Sequence, residues 1–332
     1  MNVTGKHTNL KIIILILSCI GIGVWLFVPQ TLFKDPYSFV LQDKDGKLLG
    51  AHIAEDGQWR FPLIDSIPKT WENAILKFED QRFYSHIGVD PLAIVRAIIE
   101  NVKSEKIVSG ASTISMQVIR LSRKGKPRNF YQKIIEAILA IRLEMQYSKQ
   151  EILRLYASHA PFGGNVVGLE AASWRYYHKS PHMLSLAEAS TLAVLPNSPA
   201  LIHPGRNRSQ LKAKRDGLIR QLLEAGLIDT TEYELALLEK LPEAPLALPQ
   251  LAPHLLHHLN EIHDNASKFS STIDYTLQQN LIDITNDHYL INKGSDIHNI
   301  AVLVADTKTG KILSYIGNAH LSKNQNAVDI IH

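Results

Sequence analysis

From Ile12 to Val28 the chain reads IIILILSCIGIGVWLFV, 17 residues without a charge. A run of that kind sits at the lower edge of the ~17 to 25 residues that cross a bilayer as a helix, so it dictates where the rest of the chain can be. Lys6 and Lys11 precede it, and the first acids, Asp35 and Asp43, follow it. By the positive-inside rule residues 1–11 are a cytoplasmic tail, residues 12–28 a transmembrane helix, and the body lies on the other side, with Trp25 and Phe27 suited to the outer interface. A cleaved signal peptide asks for a shorter apolar region and small residues at the cut, whereas Val28-Pro29-Gln30-Thr31 follow here. Ser18-Cys19 has a faint lipoprotein look, but the apolar run continues past Cys19. A helical anchor is the expectation.

The remainder is ordinary globular material, 45% apolar and 20% charged over the 332 residues, which excludes disorder and low-complexity classes. A net charge of +3 is too slight to argue for nucleic acid. Cys19 is the sole cysteine, so an internal disulfide or a zinc cluster built on several cysteines is out. Residues 35–65 read as a β hairpin linker, YSFVLQ and LLGAHI flanking the turn Asp43-Lys44-Asp45-Gly46. Residues 66–241 read as a helical domain: Trp71, Ala74, Ile75 and Phe78 recur at helical spacing, as do Ile134, Ile138, Ile141 and Leu143. Pro242, Pro245, Pro249 and Pro253 mark residues 242–271 as a linker. A second domain is expected over 272–332, where IAVLVADTKTGKILSYIGN gives two strands around Asp306 to Gly310.

Taken alone, the adjacent carboxylates of EDQRFYSHIGVD (Glu79 to Asp90) are what any solvated helix end offers. The same chain continues with GASTISMQVIR (Gly110 to Arg120), QKIIE (Gln132 to Glu136), APFGGNVVGLEAASWRYYHKSP (Ala160 to Pro181) and LSLAEASTLAVLPNSP (Leu184 to Pro199). In that order, and strongly over residues 60–205, these blocks resemble the glycosyltransferase family 51 domain of the class A penicillin-binding proteins, the peptidoglycan polymerases. The resemblance implies a mainly α, lysozyme-like domain that lengthens glycan strands from the lipid-linked precursor lipid II, with inversion at the anomeric carbon. It implies Glu79 as the catalytic glutamate, with Asp80, Phe83, His86, Gly88 and Asp90 as the rest of the first motif, Ser112, Thr113, Gln117 and Arg120 in the second, and Lys133 and Glu136 in the third. Two departures stand out: Gln132 replaces a usual arginine before Lys133, for which Arg128 is the nearest substitute, and Tyr156-Ala157-Ser158 replaces the usual Tyr-Leu-Asn.

Elementary chemistry agrees with that assignment. Joining sugars needs a base for the attacking hydroxyl and a cationic cradle for a pyrophosphate leaving group. Arg120, Arg123, Lys124, Lys126, Arg128 and Lys133 form a stretch of six cations without one acid. Most such runs are solvated or membrane-facing, while the resemblance implies pyrophosphate contacts for Arg120 and Lys133. It also implies that Glu136 organises the leaving group, as a ligand of a divalent ion, Mg or Mn. Partners implied are lipid II, the growing glycan strand, the membrane and other cell-wall synthesis proteins, with no nucleic acid, in a single-pass protein of the inner membrane. A lysozyme-like hydrolase using water and a non-catalytic lipid II or cell-wall scaffold are the alternative classes.

His254, His257 and His258 lie close in sequence but lack cysteine or acidic company, which argues against zinc. Lys308-Thr309-Gly310 imitates a transpeptidase string at the wrong place. The resemblance to a transpeptidase domain resumes at Thr272 as an α/β fragment and reaches His332 without an acylating serine, so no transpeptidase activity is expected of this chain. The segment Asp90 to Gly110 has the composition of an interfacial helix, Leu92, Ile94, Val95, Ile98, Ile99 and Val102 beside Arg96, Lys103 and Lys106, with a core-facing helix as the competing reading.

Overall fold

A computed structural model describes residues 32–104, 110–124, 126, 129–197, 204–263, 267–323 and 325–332, and these residues are mostly helical. The expected anchor at 12–28 and Arg128 lie outside the described residues. Among the described residues no helix is long and apolar enough to cross a membrane. The described residues divide into two compact units, one containing Ile75–His159 and residues 32–35, the other Pro36–Ala74 with the described residues from Ala160 to His332. The boundary falls within helix α1, Lys69–Glu79.

In the first unit, α1 is followed by a 3₁₀ turn at Phe83–Ser85 and by α2, Pro91–Ser104. Pro91 suits the first turn, where no amide donor is needed, and Asp90 accepts from the Ala93 amide at 3.0 Å. Helix α3, Ile114–Ser122, is capped by Thr113, and α4, Phe130–Gln146, by Asn129. Helix α5, Lys149–His159, starts at a reciprocal Ser148–Glu151 pair, each side chain serving the other's amide. Helices α3, α4 and α5 pack on one another, and Val118, Ile119, Ala140, Leu143, Ile152 and Leu153 on them are buried.

Two apolar faces of this unit are not covered among the described residues. On α4, Ile134, Ile138 and Ile141 are exposed, and so are Phe130, at 79%, and Met145, while Ala140, Arg142 and Leu143 are the buried positions. Of the periodic residues, Leu143 therefore faces the core while Ile134, Ile138 and Ile141 lie outward. On α2, Leu92, Val95, Ile99 and Val102 are exposed, Val102 at 72%, while Ala97 is buried.

The second unit contains the hairpin of β1, Phe39–Gln42, and β2, Leu48–His52, antiparallel with Phe39 opposite His52. Its turn closes because the Asp43 carboxylate accepts from the Asp45 and Lys47 amides and Gly46 takes φ +83°. Strand β3, Trp59–Arg60, pairs in parallel with β4, Val166–Val167. Helices α6, Leu169–Tyr177, α7, Leu186–Val194, α8, Arg208–Glu224, and α9, Thr230–Leu238, follow, α7 and α9 each opening on a capping box.

The stretch expected to be a linker takes part in the fold. Pro253 begins α10, Pro253–Ile262, and β5, Lys268–Ser270, adds in parallel to β1. Ala252, Leu256 and Leu259 share one core with Phe39, Leu41, Leu49, Ile273 and Tyr315. Helix α11, Tyr275–Asn292, does not show in the apolar pattern because its anchor is polar: buried Gln278 donates to the Leu251 and Tyr315 carbonyls and accepts from the Tyr315 amide and the Ser314 hydroxyl. Strands β6, Val302–Ala305, and β7, Ile312–Ile316, form the expected antiparallel pair. His254 and His257 line a cavity of about 450 Å³ with His52 and His320.

Candidate active site

Glu79 is the last residue of α1, and the chain turns at once, so its side chain and that of Asp80 leave a helix end in different directions. One Glu79 oxygen, Oε2, accepts from Gln117 Nε2 at 2.7 Å, and Gln117 Oε1 accepts from Arg120 at 3.3 Å. Gln117 and Arg120 are three apart on α3 and so share a face. Tyr156 of α5 is buried close to both charges: burial pushes its hydroxyl well above the usual phenol value, Glu79 adds to the rise and Arg120 opposes it.

The second carboxylate has a different task. Asp80 is buried and accepts from the Ile114 amide at 3.0 Å, at the positive end of α3, while both its oxygens lie 3.1 Å from His86 Nε2. In the bare sequence Asp80 is chiefly a like-charged neighbour of Glu79; in the fold its oxygens are held by the His86 ring and the first turn of α3. Thr113 caps α3 and donates to the Gly88 carbonyl at 2.6 Å, tying the first motif to the second. Gly88 has φ +84°, and a Cβ there would stand 2.5 Å from the Ala140 carbonyl carbon and the Ile141 nitrogen. Only glycine lets this loop lie against the α4 backbone.

Beside these groups is a cavity of about 120 Å³ lined by Glu79, Asp80, Arg82, Arg96, Ser112 and Thr113, among others. Arg82 donates Nε–H to Asp90 Oδ2 at 2.9 Å and a second hydrogen bond to Oδ1, a bidentate pair that holds the Asp90 carboxyl down at about 2. Arg82 and Arg96 bring positive charge to the cavity that the motifs do not assign. An acid eight residues after an arginine is the available signal for the first, and an arginine on an apolar helix for the second.

The structure thus joins Glu79, Gln117 and Arg120 in one hydrogen-bonded series and Asp80, His86 and the α3 N-terminus in another. Phe83 is buried with its ring edge-on to His86 and the Lys149 ammonium 4.5 Å above it. Ser112 is half-buried at the cavity. Lys133 is exposed and Glu136 half-buried, one turn apart on α4. Tyr156, Ala157 and Ser158, the altered fourth-motif residues, are all buried. Among the described residues no three His, Cys, Asp or Glu side chains are grouped so as to hold a metal ion.

A family model described as transglycosylase matches residues 45–223. Penicillin-binding protein 1C of Escherichia coli strain K12 is 33% identical over 286 residues, 85% of this chain and 36% of that protein. Penicillin-binding protein 1A of Neisseria flavescens is 35% identical over 63% of this chain and 26% of its own length, and that of Aquifex aeolicus 34% identical over 66% and 32%. The chain therefore spans about a quarter to a third of the relatives it matches. The crystal structure of penicillin-binding protein 1A from Haemophilus influenzae matches with a TM-score of 0.36 and 17% identity, over 83% of this chain and 32% of that one, a likeness too slight to argue from.

Proposed function

The chain belongs to the transglycosylase family, and from that premise we propose that it is a peptidoglycan glycosyltransferase that polymerises lipid II, with Glu79 as general base. The observation that carries this reading is the series Glu79–Gln117–Arg120 beside the small polar cavity.

Glu79 takes the proton of the acceptor sugar hydroxyl as that oxygen attacks the anomeric carbon of the donor. The bond from that carbon to the lipid pyrophosphate breaks on the opposite face, so configuration inverts, and the electron pair leaves with the phosphate oxygen. General base assistance of this kind contributes ~10² to 10⁴ in rate, and the rest must come from positioning and from stabilising the departing charge. Arg120, Lys133 and Arg128, with Arg96 near Glu79, supply that positive field; Asp80, Phe83, His86, Ser112, Thr113 and Gln117 shape the walls that hold the sugars.

A divalent ion fits here only as one shared with substrate, since the described side chains form no cage of their own and magnesium is commonly held by one carboxylate plus phosphate oxygens. Glu136 is the carboxylate that would hold it, and the ion would neutralise charge on the pyrophosphate.

The same reading takes the domain as lysozyme-like, anchors it through residues 12–28 in the inner membrane, and takes residues 272–332 as a transpeptidase-like fragment. The uncovered apolar faces of α2 and α4, with Arg96, Lys103 and Lys133 on the same helices, suit contact with an anionic membrane where lipid II presents its pyrophosphate. Incubating the full chain in detergent with lipid II and resolving products by length tests the proposal. Wild type makes polymer, and Glu79→Gln keeps lipid II binding while losing at least ~10²-fold in rate. Near-normal polymerisation by that variant overturns the assignment of the base.

A further inference from the structure

We infer that Glu144 is a positioning residue of this site, holding the His86 ring and thereby Asp80 and the helix that carries Gln117. The inference deepens the glycosyltransferase reading and rests on it for its turnover assay. Glu144 lies near the end of α4, outside every motif singled out in the sequence, and its side chain is 5% exposed.

A carboxylate that deep is retained only with partners, and three elements supply them. Ser115, in the first turn of α3, donates its hydroxyl to Oε1. Lys149, in the first turn of α5, donates to the carboxylate at 2.7 Å and to the His86 carbonyl at 2.7 Å. His86 Nδ1 lies 3.8 Å from Oε1, while the opposite ring nitrogen faces Asp80 at 3.1 Å. The imidazole therefore lies between two buried carboxylates, hydrogen-bonded to Asp80 and within ion-pair distance of Glu144, and its backbone carbonyl is held by the same lysine that pairs with Glu144.

The mechanical consequence runs toward the reacting groups. Asp80 is next in sequence to Glu79 and receives the amide of Ile114; Gln117, three residues further along the same helix, donates to Glu79. Ser115 lies between them and is held by Glu144 directly. Removing the Glu144 charge frees one side of the His86 ring and one side of the first turn of α3, with no residue of the cavity itself altered. Misplacement on the order of 1 Å at a reacting group costs about 10²-fold.

The test uses the full chain in detergent with ¹⁵N-histidine labelling. In Glu144→Gln, kcat for lipid II polymerisation should fall about 10- to 100-fold with KM within about threefold, and the His86 ring ¹⁵N resonances should shift. Ser115→Ala, which removes a single hydrogen bond, should give a smaller kcat loss in the same direction and a smaller shift at His86; it carries the test if Glu144→Gln does not fold. Unchanged kcat, or activity that merely tracks the folded fraction with His86 resonances unmoved, overturns the inference. Failure of wild type to polymerise would sink the activity reading, whereas the His86 resonances still decide whether Glu144 holds the ring.

Discussion

Gly88→Ala should damage both stability and turnover, although it adds one methyl group. Two costs combine at this position. The backbone sits at φ +84°, where a residue with a Cβ loses roughly 1–2 kcal/mol. The new carbon would also stand 2.5 Å from backbone atoms of Ala140 and Ile141 in the middle of α4, where no side chain can swing aside. Relief requires moving the loop or the helix by about 1 Å to reach an ordinary carbon contact near 3.5 Å, and overpacking of that sort costs about 1–3 kcal/mol. The sum is about 2–5 kcal/mol, a large share of the ~5–15 kcal/mol that holds a typical domain. The displacement lies between the first motif and the helix bearing Lys133, Glu136 and Glu144, so turnover should fall on the order of 10²-fold even where the protein stays folded. Urea unfolding followed by helical circular dichroism reads the first effect and lipid II polymerisation the second. Gly46→Ala is the control: Gly46 has φ +83°, and a Cβ at that position would meet nothing within 4 Å, so the variant should lose only the conformational part, ~1–2 kcal/mol, with turnover intact. If Gly88→Ala matched Gly46→Ala in both measurements, the close approach to α4 would carry no energy and the reasoning would be wrong.

Three further outcomes follow from the same geometry. Replacing Val95 and Val102 of α2 by Ser should weaken binding of the chain lacking residues 1–34 to anionic vesicles while leaving its melting temperature within about 2 °C, since exposed substitutions usually change stability by less than ~0.5 kcal/mol; a large melting drop with unchanged vesicle binding would return these side chains to the core. His52 and His320 are both held below the usual imidazole value of 6.5, foremost by burial and then by His257 and His254 respectively. The unfolded chain thus takes up protons first, and stability should decline as pH falls below about 6.5; an unfolding midpoint equal at pH 7.5 and pH 5.5, or a decline that survives His52→Gln with His320→Gln, contradicts this. Asp90 is held down at about 2, so its contribution is complete above the ordinary value of 3.8 and disappears as pH falls through about 2. Asp90→Asn should flatten acid unfolding in that window, and an unchanged acid limb would remove the Arg82 pair as its cause.

Local chemistry is largely readable from the residues. The Asp43-Lys44-Asp45-Gly46 turn and the strand pair around Asp306 to Gly310 form where side-chain-to-amide bonds and glycine dihedrals require them, because those interactions span only a few residues. The grouping of Glu79, Gln117 and Arg120 comes from ordered motifs rather than periodicity, and the distances agree with their being neighbours. Periodicity finds the apolar stripe of α4 but cannot say what covers it, since helical spacing records a face and not its environment. Pro253 illustrates a further limit: proline breaks a helix interior but serves a first turn, and Leu256 and Leu259 behind it join a core made by strands from the far end of the chain.

What the sequence determined by itself is chemistry that acts over a few bonds: a turn, a strand pair, helical spacing and the order of the family's motifs. Tertiary structure decided which of those residues work on one another. Glu144 carries no motif, and its partners stand at Ser115, Lys149 and His86, brought around one carboxylate by the packing of α3, α4 and α5. A buried charge is tolerable only when elements distant in sequence converge to pair it, and that convergence is a property of packing, which no local pattern encodes.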